Sequence, residues 1–165
     1  MEHRLRVDLP AEAEPISWVW GRAVPEIGPA AARFSAAVYE HSTLSLREFE
    51  AARIRIAQIN QCAFCLDWRT ERDGVKVDDA LAGQAEHWRD AAGLTDRERL
   101  AAGYAERFAV DHLSLDGDEA FWAEMRAAFS DEEIIELSMC IGSWIAFGRL
   151  NHVLGIDAAC VLPSH

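Results

Sequence analysis

Two cysteines three residues apart, in Cys62-Ala-Phe-Cys65, are the best candidates for chemistry in this chain of 165 residues. A carboxylate, Glu50, stands twelve residues before the first thiol, and Arg69 follows four residues after the second. Cysteines at this spacing serve as half of a zinc site, as a redox dithiol, or only in packing. A zinc site needs about four ligands, almost always Cys or His. The other candidates, Cys140, Cys160 and scattered histidines, fall in no second paired motif. No metal and no cofactor is assigned. The redox reading asks only for the two thiols and groups that tune their pKa.

A helix opened by Cys62 puts Cys62 and Cys65 about one turn apart on one face, with Arg69 four residues further along that face. Exposed N–H groups at a helix start and a nearby cation both lower a thiol pKa. Arg69 is the candidate cation. Glu50 acts on the thiols only if the chain turns between them, because a straight helix would carry it roughly 18 Å from Cys62. Asn60-Gln61 is the expected break.

Arg53-Ile-Arg-Ile-Ala-Gln-Ile-Asn-Gln-Cys-Ala-Phe-Cys65 resembles the signature of the carboxymuconolactone decarboxylase family, in its alkylhydroperoxidase D-like branch. The run from Phe129-Ser-Asp-Glu-Glu-Ile-Ile-Glu-Leu to Phe147-Gly-Arg-Leu-Asn-His-Val-Leu-Gly is similar to the family's closing helix, so the likeness spans roughly residues 25 to 157. The family's redox pattern is a Glu, a Cys-x-x-Cys opening twelve residues later, and a His four residues after the second Cys. It maps onto Glu50, Cys62 and Cys65, with Arg69 at the His position. That departure removes a proton relay, since a guanidinium keeps its proton throughout the useful pH range. It leaves a fixed charge that can stabilise a thiolate, or marks a chain that has lost turnover.

The elements that must position these residues read as helices. One domain is expected at this length, and Ala, Leu, Glu and Arg are abundant. Ser45-Leu-Arg-Glu48, Thr95-Asp-Arg-Glu98 and Ser130-Asp-Glu-Glu133 are capping boxes. They predict helices to about Gln61, about Phe108 and Leu154, the last with Gly155 as its stop. Leu46, Phe49, Arg53, Ile56 and Asn60 trace one face of the first, and Glu50, Ile54, Ala57 and Gln61 another, so it is packed on two sides. Further helices are predicted over Gly28–Tyr39, from the Cys pair to about Gly74, over Gln84–Ala92 and over Asp118–Ala128. A short turn is expected at Val77–Ala82 and a loop at Val110–Gly117. The alternation and turn pairs of strands are not found. The expected fold is all-α, an alkylhydroperoxidase D-like helical bundle over residues 26–157. An extended arm with one short turn over residues 1–25 precedes it and a tail over 158–165 follows. The arm's Trp18 and Trp20 read first as indoles packed on the body, and second as a lip over a substrate pocket.

The net charge of −12 argues against nucleic acid, whose binders carry a basic stripe. No apolar run approaches the roughly 20 residues that span a bilayer, and the N-terminus lacks a signal-peptide core. A cytoplasmic, reducing compartment is expected, where Cys-x-x-Cys is catalytic or metal-binding more often than structural. Cys140 reads as a buried small hydrophobe and Cys160 as an exposed spare thiol. Asp67 reads as solvated or Arg-paired, Trp68 as packed, and His41, His87 and His112 as surface residues. His152, in the last turn of the final helix, is the secondary candidate for the missing proton carrier.

The resemblance implies a thiol peroxidase that reduces a small-molecule hydroperoxide through Cys65, with Cys62 exposed for resolution and an external dithiol as electron donor. Glu50 would polarise the thiols and Arg69 stabilise the thiolate. It also implies self-association into a trimer or hexamer. The alternatives are a redox-sensing or interaction protein without turnover, and a lactone enzyme of the carboxymuconolactone decarboxylase kind.

Overall fold

A computed structural model of the chain describes residues 4–159. In chain order it runs α1 (Pro15–Trp18), a π-helical turn (Val19–Ala23), α2 (Ile27–His41), α3 (Leu46–Asn60) and α4 (Ala63–Asp67). A ribbon of β1 (Glu71–Arg72) and β2 (Val75–Lys76) follows. Then come α5 (Ala80–Glu86), α6 (Asp96–Val110), α7 (His112–Asp116), α8 (Glu119–Ala128), α9 (Asp131–Val153) and α10 (Ile156–Ala159). The all-α expectation holds apart from the ribbon. No helix among the described residues is long and apolar enough to cross a membrane.

The three capping boxes form as the sequence predicts. Ser45, Thr95 and Ser130 each accept from the N–H of the glutamate three residues on, and Glu48, Glu98 and Glu133 each return a bond to the cap's own N–H. A cap of this kind contributes about 1 kcal/mol. The same glutamates then join helices to one another. Arg97 donates through Nε to Glu48 Oε1 at 2.5 Å and through Nη2 to Glu133 Oε1 at 2.8 Å, and Arg47 Nε donates to Glu98 Oε1 at 2.8 Å. The starts of α3, α6 and α9 are thereby fastened together.

Helix α3 is the spine, packed against α6, α9, α5 and α4. Phe49, Ala52 and Ile56 enter a core with Tyr104, Leu137, Ile141 and Trp144, while Ala51 and Ile54 enter a second with Leu81, Ala85 and Ala102. Burying a Phe, Leu or Ile contributes about 1.5–3 kcal/mol, and the alanines on the facing sides of α3 and α6 let the two backbones approach. The two-sided burial expected of α3 follows from this central place. At the other end, Gly148 of α9 lies against the Asn60 side chain, where a Cβ would come within 2.6 Å of its Nδ2.

Several expectations are corrected. The arm over residues 1–25 is helical from Pro15 to Ala23, because Glu14 caps α1 by accepting from the Ile16 and Ser17 N–H groups. The helix through the Cys pair stops at Asp67 rather than near Gly74. Asp73 and Gly74 then take φ of 52° and 76°, the left-handed pair of a tight hairpin turn, and pair Glu71–Arg72 with Val75–Lys76. The predicted segments at 77–82 and 84–92 are replaced by one helix, α5, and the loop after Val110 contains α7.

Candidate active site

The break expected at Asn60-Gln61 is present. Gln61 ends α3 in the left-handed conformation, with φ 54° and ψ 33°, and Cys62 turns extended to become the N-cap of α4. Its Sγ accepts from the Cys65 N–H at 3.4 Å. The two cysteines are joined as a disulfide with Cα atoms 5.2 Å apart. Cys62 is fully buried, whereas Cys65 is half-buried and lines a cavity of about 430 Å³. That reverses the expectation of an exposed Cys62. The reversal arises because Cys62 lies in the crook between α3 and α4, under the turn that Gln61 makes.

The turn also brings α4 back beside the first part of α3, and with it Glu50. The carboxylate is fully buried. Arg53 donates to it through Nε at 2.5 Å and Nη2 at 3.0 Å, and the Thr70 hydroxyl donates to Oε1 at 2.6 Å. Arg53 spends its remaining reach on α4, through Nη1 to the Cys65 carbonyl and Nη2 to the Trp68 carbonyl, both at 2.8 Å. Glu50 therefore connects to the cysteine pair through Arg53. Neither Arg53 nor Thr70 was among the site residues expected from the sequence. The available signal was the three-residue step from Glu50 to Arg53, which places two opposite charges on one side of a buried helix.

Arg69 does not continue the helical face of the thiols, because α4 has already ended. Its Nη1 donates to the carbonyls of Leu66 and of Trp68, the latter at 2.9 Å, and Nη2 lies 3.5 Å from Asp79 Oδ1. Two arginines thus take the orphan carbonyls at the end of a one-turn helix, the groups that most need partners there.

Aromatic rings form much of the cavity wall. Tyr39 and Trp68 meet edge to face at 5.0 Å, Trp20 and Phe147 at 4.8 Å, and the Arg53 guanidinium sits 5.5 Å from the Trp68 ring. Burial pushes the Tyr39 hydroxyl up to about 12, against the opposing pull of Arg53. Trp20 reaches the cavity from the N-terminal segment, and its Nε1–H donates to Asn151 Oδ1 at 3.2 Å. Both readings of this residue meet here, since the indole packs on Phe147 of the body and also lines the cavity. Gly28 makes the approach possible, since a Cβ there would lie 2.8 Å from the Trp20 carbonyl oxygen.

The remaining candidates lie elsewhere. His152 contacts Asp157 at 3.2 Å through Nδ1, while its neighbour Asn151 lines the cavity. Cys140 is buried between α2 and α9, where burial and then Glu136 push its thiol up to about 12. Asp67, His41, His87 and His112 are exposed, and Cys160 lies outside the described residues. Among the described residues no group of three or more His, Cys, Asp or Glu is placed to hold a metal.

The carboxymuconolactone decarboxylase family profile matches residues 25–107, which include Glu50, Arg53, both cysteines and Arg69. YnjA of Escherichia coli (strain K12), an uncharacterized protein, is 34% identical over 116 residues, 67% of this chain and 61% of YnjA. The chain thus spans about three fifths of that relative's length. A crystal structure of an Agrobacterium tumefaciens protein of unknown function, provisionally described as the antioxidant defence protein AhpD, superposes with a TM-score of 0.66 at 26% identity. The match covers 78% of this chain and 88% of that one. With the helical bundle, the cysteine pair at the turn after α3 and a profile match over half the sequence, the chain belongs to the carboxymuconolactone decarboxylase family.

Proposed function

We propose that the chain is a thiol peroxidase that cycles the Cys62–Cys65 pair. The observation that carries this reading is the division of the pair. Cys65 opens on a cavity large enough for an organic molecule, and Cys62 waits behind it, fully buried, with Sγ already taking the Cys65 N–H.

In the reduced protein the Cys65 thiolate attacks the terminal oxygen of a hydroperoxide. The O–O bond breaks, the alcohol leaves with a proton, and Cys65 becomes a sulfenic acid. Cys62 then attacks that sulfur and expels hydroxide, which leaves as water once protonated, and the disulfide forms. An external dithiol resets the pair. Its thiolate attacks the sulfur open to the cavity, that of Cys65, and Cys62 departs as the thiolate. The donor's second thiol then frees Cys65 and carries away both oxidising equivalents as its own disulfide. This cycle needs the reducing conditions of a cytoplasm.

Arg53 and Glu50 act here as positioning residues that hold α4 and the Cys65 carbonyl in place. Tyr39 keeps its proton through neutral pH and offers a donor in the cavity. Arg69 contributes charge and a fixed end to α4. Self-association as a trimer or hexamer is supported by the apolar groove between α2 and α9, where Phe34, Ile135 and Met139 are exposed.

The test is to treat reduced protein with one equivalent of cumene hydroperoxide, map disulfides by peptide mass, and follow peroxide loss with excess dithiothreitol. Rapid formation of the 62–65 disulfide with sustained turnover is expected, and both must vanish in Cys65→Ser. Arg69 at the relay histidine's position, engaged with carbonyls, favours one second reading, a redox sensor. One slow oxidation without turnover would establish that reading instead. Lactone decarboxylation that survives alkylation of both thiols would replace both readings.

A further inference from the structure

Ser143 and Trp144 are neighbours in the middle of α9, and both line the cavity beside Cys65. They are 1% and 7% exposed, and each carries a buried polar atom: Trp144 Nε1 faces the Tyr39 hydroxyl without reaching full hydrogen-bond geometry, and Ser143 Oγ makes no hydrogen bond. This is unusual for a serine inside a helix, whose hydroxyl has the carbonyl four residues back within reach. Ser138 on the same helix uses that option, donating to the Ile134 carbonyl at 2.7 Å and pairing with the Tyr104 hydroxyl. Ser143 does not. Buried polar groups nearly always find a partner, so an unpartnered hydroxyl beside an indole N–H that is only loosely engaged, both in a cavity wall, points to a partner that binds there.

The rest of the wall restricts what that partner is. Its one charged lining side chain, Arg53, is ion-paired with Glu50 and bonded to two backbone carbonyls, so no free charge faces a ligand. Rings of Trp20, Phe64, Trp68 and Phe147 supply flat apolar surface. A volume of about 430 Å³ is many times the roughly 30 Å³ share of one water and within the range of small-ligand sites.

We infer that this cavity is a recognition site for an uncharged aryl compound bearing an oxygen acceptor. Ser143 Oγ and Trp144 Nε1 donate to the oxygen, and Trp20 of the N-terminal segment closes the apolar wall. Resting on the peroxidase reading of Cys65, this makes the substrate an arylalkyl hydroperoxide, with its alcohol product held by the same donors.

The test measures binding and turnover separately. Oxidised protein is titrated with 2-phenyl-2-propanol and with tert-butylbenzene, in which a methyl group replaces the hydroxyl, by calorimetry. The alcohol binds about tenfold tighter, the factor expected of one or two neutral hydrogen bonds. Ser143→Ala and Trp144→Phe, checked for unchanged melting, each remove about that preference, and Trp20→Ala weakens both ligands alike. Equal affinity of the two ligands for the unsubstituted protein overturns the inference without reference to any variant. Alcohol binding without peroxide turnover would leave the site standing and remove the peroxidase. Turnover with equal kcat/KM for cumene hydroperoxide and hydrogen peroxide, and no alcohol binding, would do the reverse.

Discussion

Arg53 stands between Glu50 and the cysteine loop, gripping the buried carboxylate with Nε and Nη2 while Nη1 donates to the Cys65 carbonyl at 2.8 Å. A conventional reading of the Glu and Cys-x-x-Cys spacing places the acid in direct service of the thiols. Here the acid meets a guanidinium that also holds the Cys65 and Trp68 carbonyls, and on the proposed reading its service is mechanical. Removing one partner leaves the other charged, buried and uncompensated, which costs about 3–5 kcal/mol. Arg53→Met and Glu50→Leu should each lower stability by that order in urea unfolding. The double variant should recover most of it, because an apolar pair of similar volume replaces the ion pair. It should still turn peroxide over about a hundredfold more slowly, the cost of a displaced reacting group. Full activity in the double variant would show that α4 is positioned without Arg53.

The burial difference between the two thiols predicts the order of their modification. In native, freshly reduced protein, iodoacetamide should alkylate Cys65 before Cys62, since Cys65 is half-buried and opens on the cavity, with Cys62 at least about tenfold slower. Cys140 should stay unmodified at pH 8, because burial raises its thiol to about 12. Peptide mass after timed quenching gives all three rates, and a urea-unfolded control should label them alike. Faster labelling of Cys62 would restore the exposed-Cys62 arrangement that the family resemblance implies.

What could be read in advance divides by range. Ser45, Thr95 and Ser130 announced their helices because a capping box is complete within four residues, and Gly155 marked the end of α9 for the same reason. The turn at Asn60-Gln61 was legible from the need to bring Glu50 back toward Cys62. The end of α4 was not, since it depends on Arg53 from α3 and on Arg69 taking carbonyls, a contact that spacing does not show. Asp73-Gly74 is a turn pair where none was expected, and with two-residue strands on either side it lacked the alternation that betrays a hairpin. Trp20 was the least legible of all. Its place in the wall rests on Asn151, 131 positions away, and on a glycine at 28 that permits close contact.

The groove between α2 and α9 gives a direct test of self-association. Ile135 and Met139 are 56% and 58% exposed one turn apart on α9, beside exposed Phe34. If a second copy covers them, placing a carboxylate there buries an unpaired charge, which an interface does not tolerate. Met139→Glu should shift the sedimenting species to monomer, with the melting temperature of the subunit itself changed little. An unchanged assembly, or monomer in the unsubstituted protein, would remove this face as a contact.

The tie between capping boxes predicts how the fold responds to acid. Burial raises the Glu48 carboxyl, but bonds from Arg97 and Ser45 outweigh it and leave the pKa below its ordinary value of 4.5. Arg97, with Ser45's counterpart Ser130, lowers Glu133 as well. A group whose pKa is lower folded than unfolded binds its proton more readily in the unfolded chain. Its stabilisation is therefore complete above about 4.5 and disappears as the pH falls through the folded value. Arg97→Met removes the shared cation from two helix starts and should cost about 1–2 kcal/mol at pH 7, reduced by the partial solvent exposure of the pair. Its melting temperature should also fall less steeply than the parent's between pH 5 and roughly pH 3, because the linked shifts have gone. Parallel curves would mean that the three capping boxes hold their helices independently and that Arg97 only bridges them in passing.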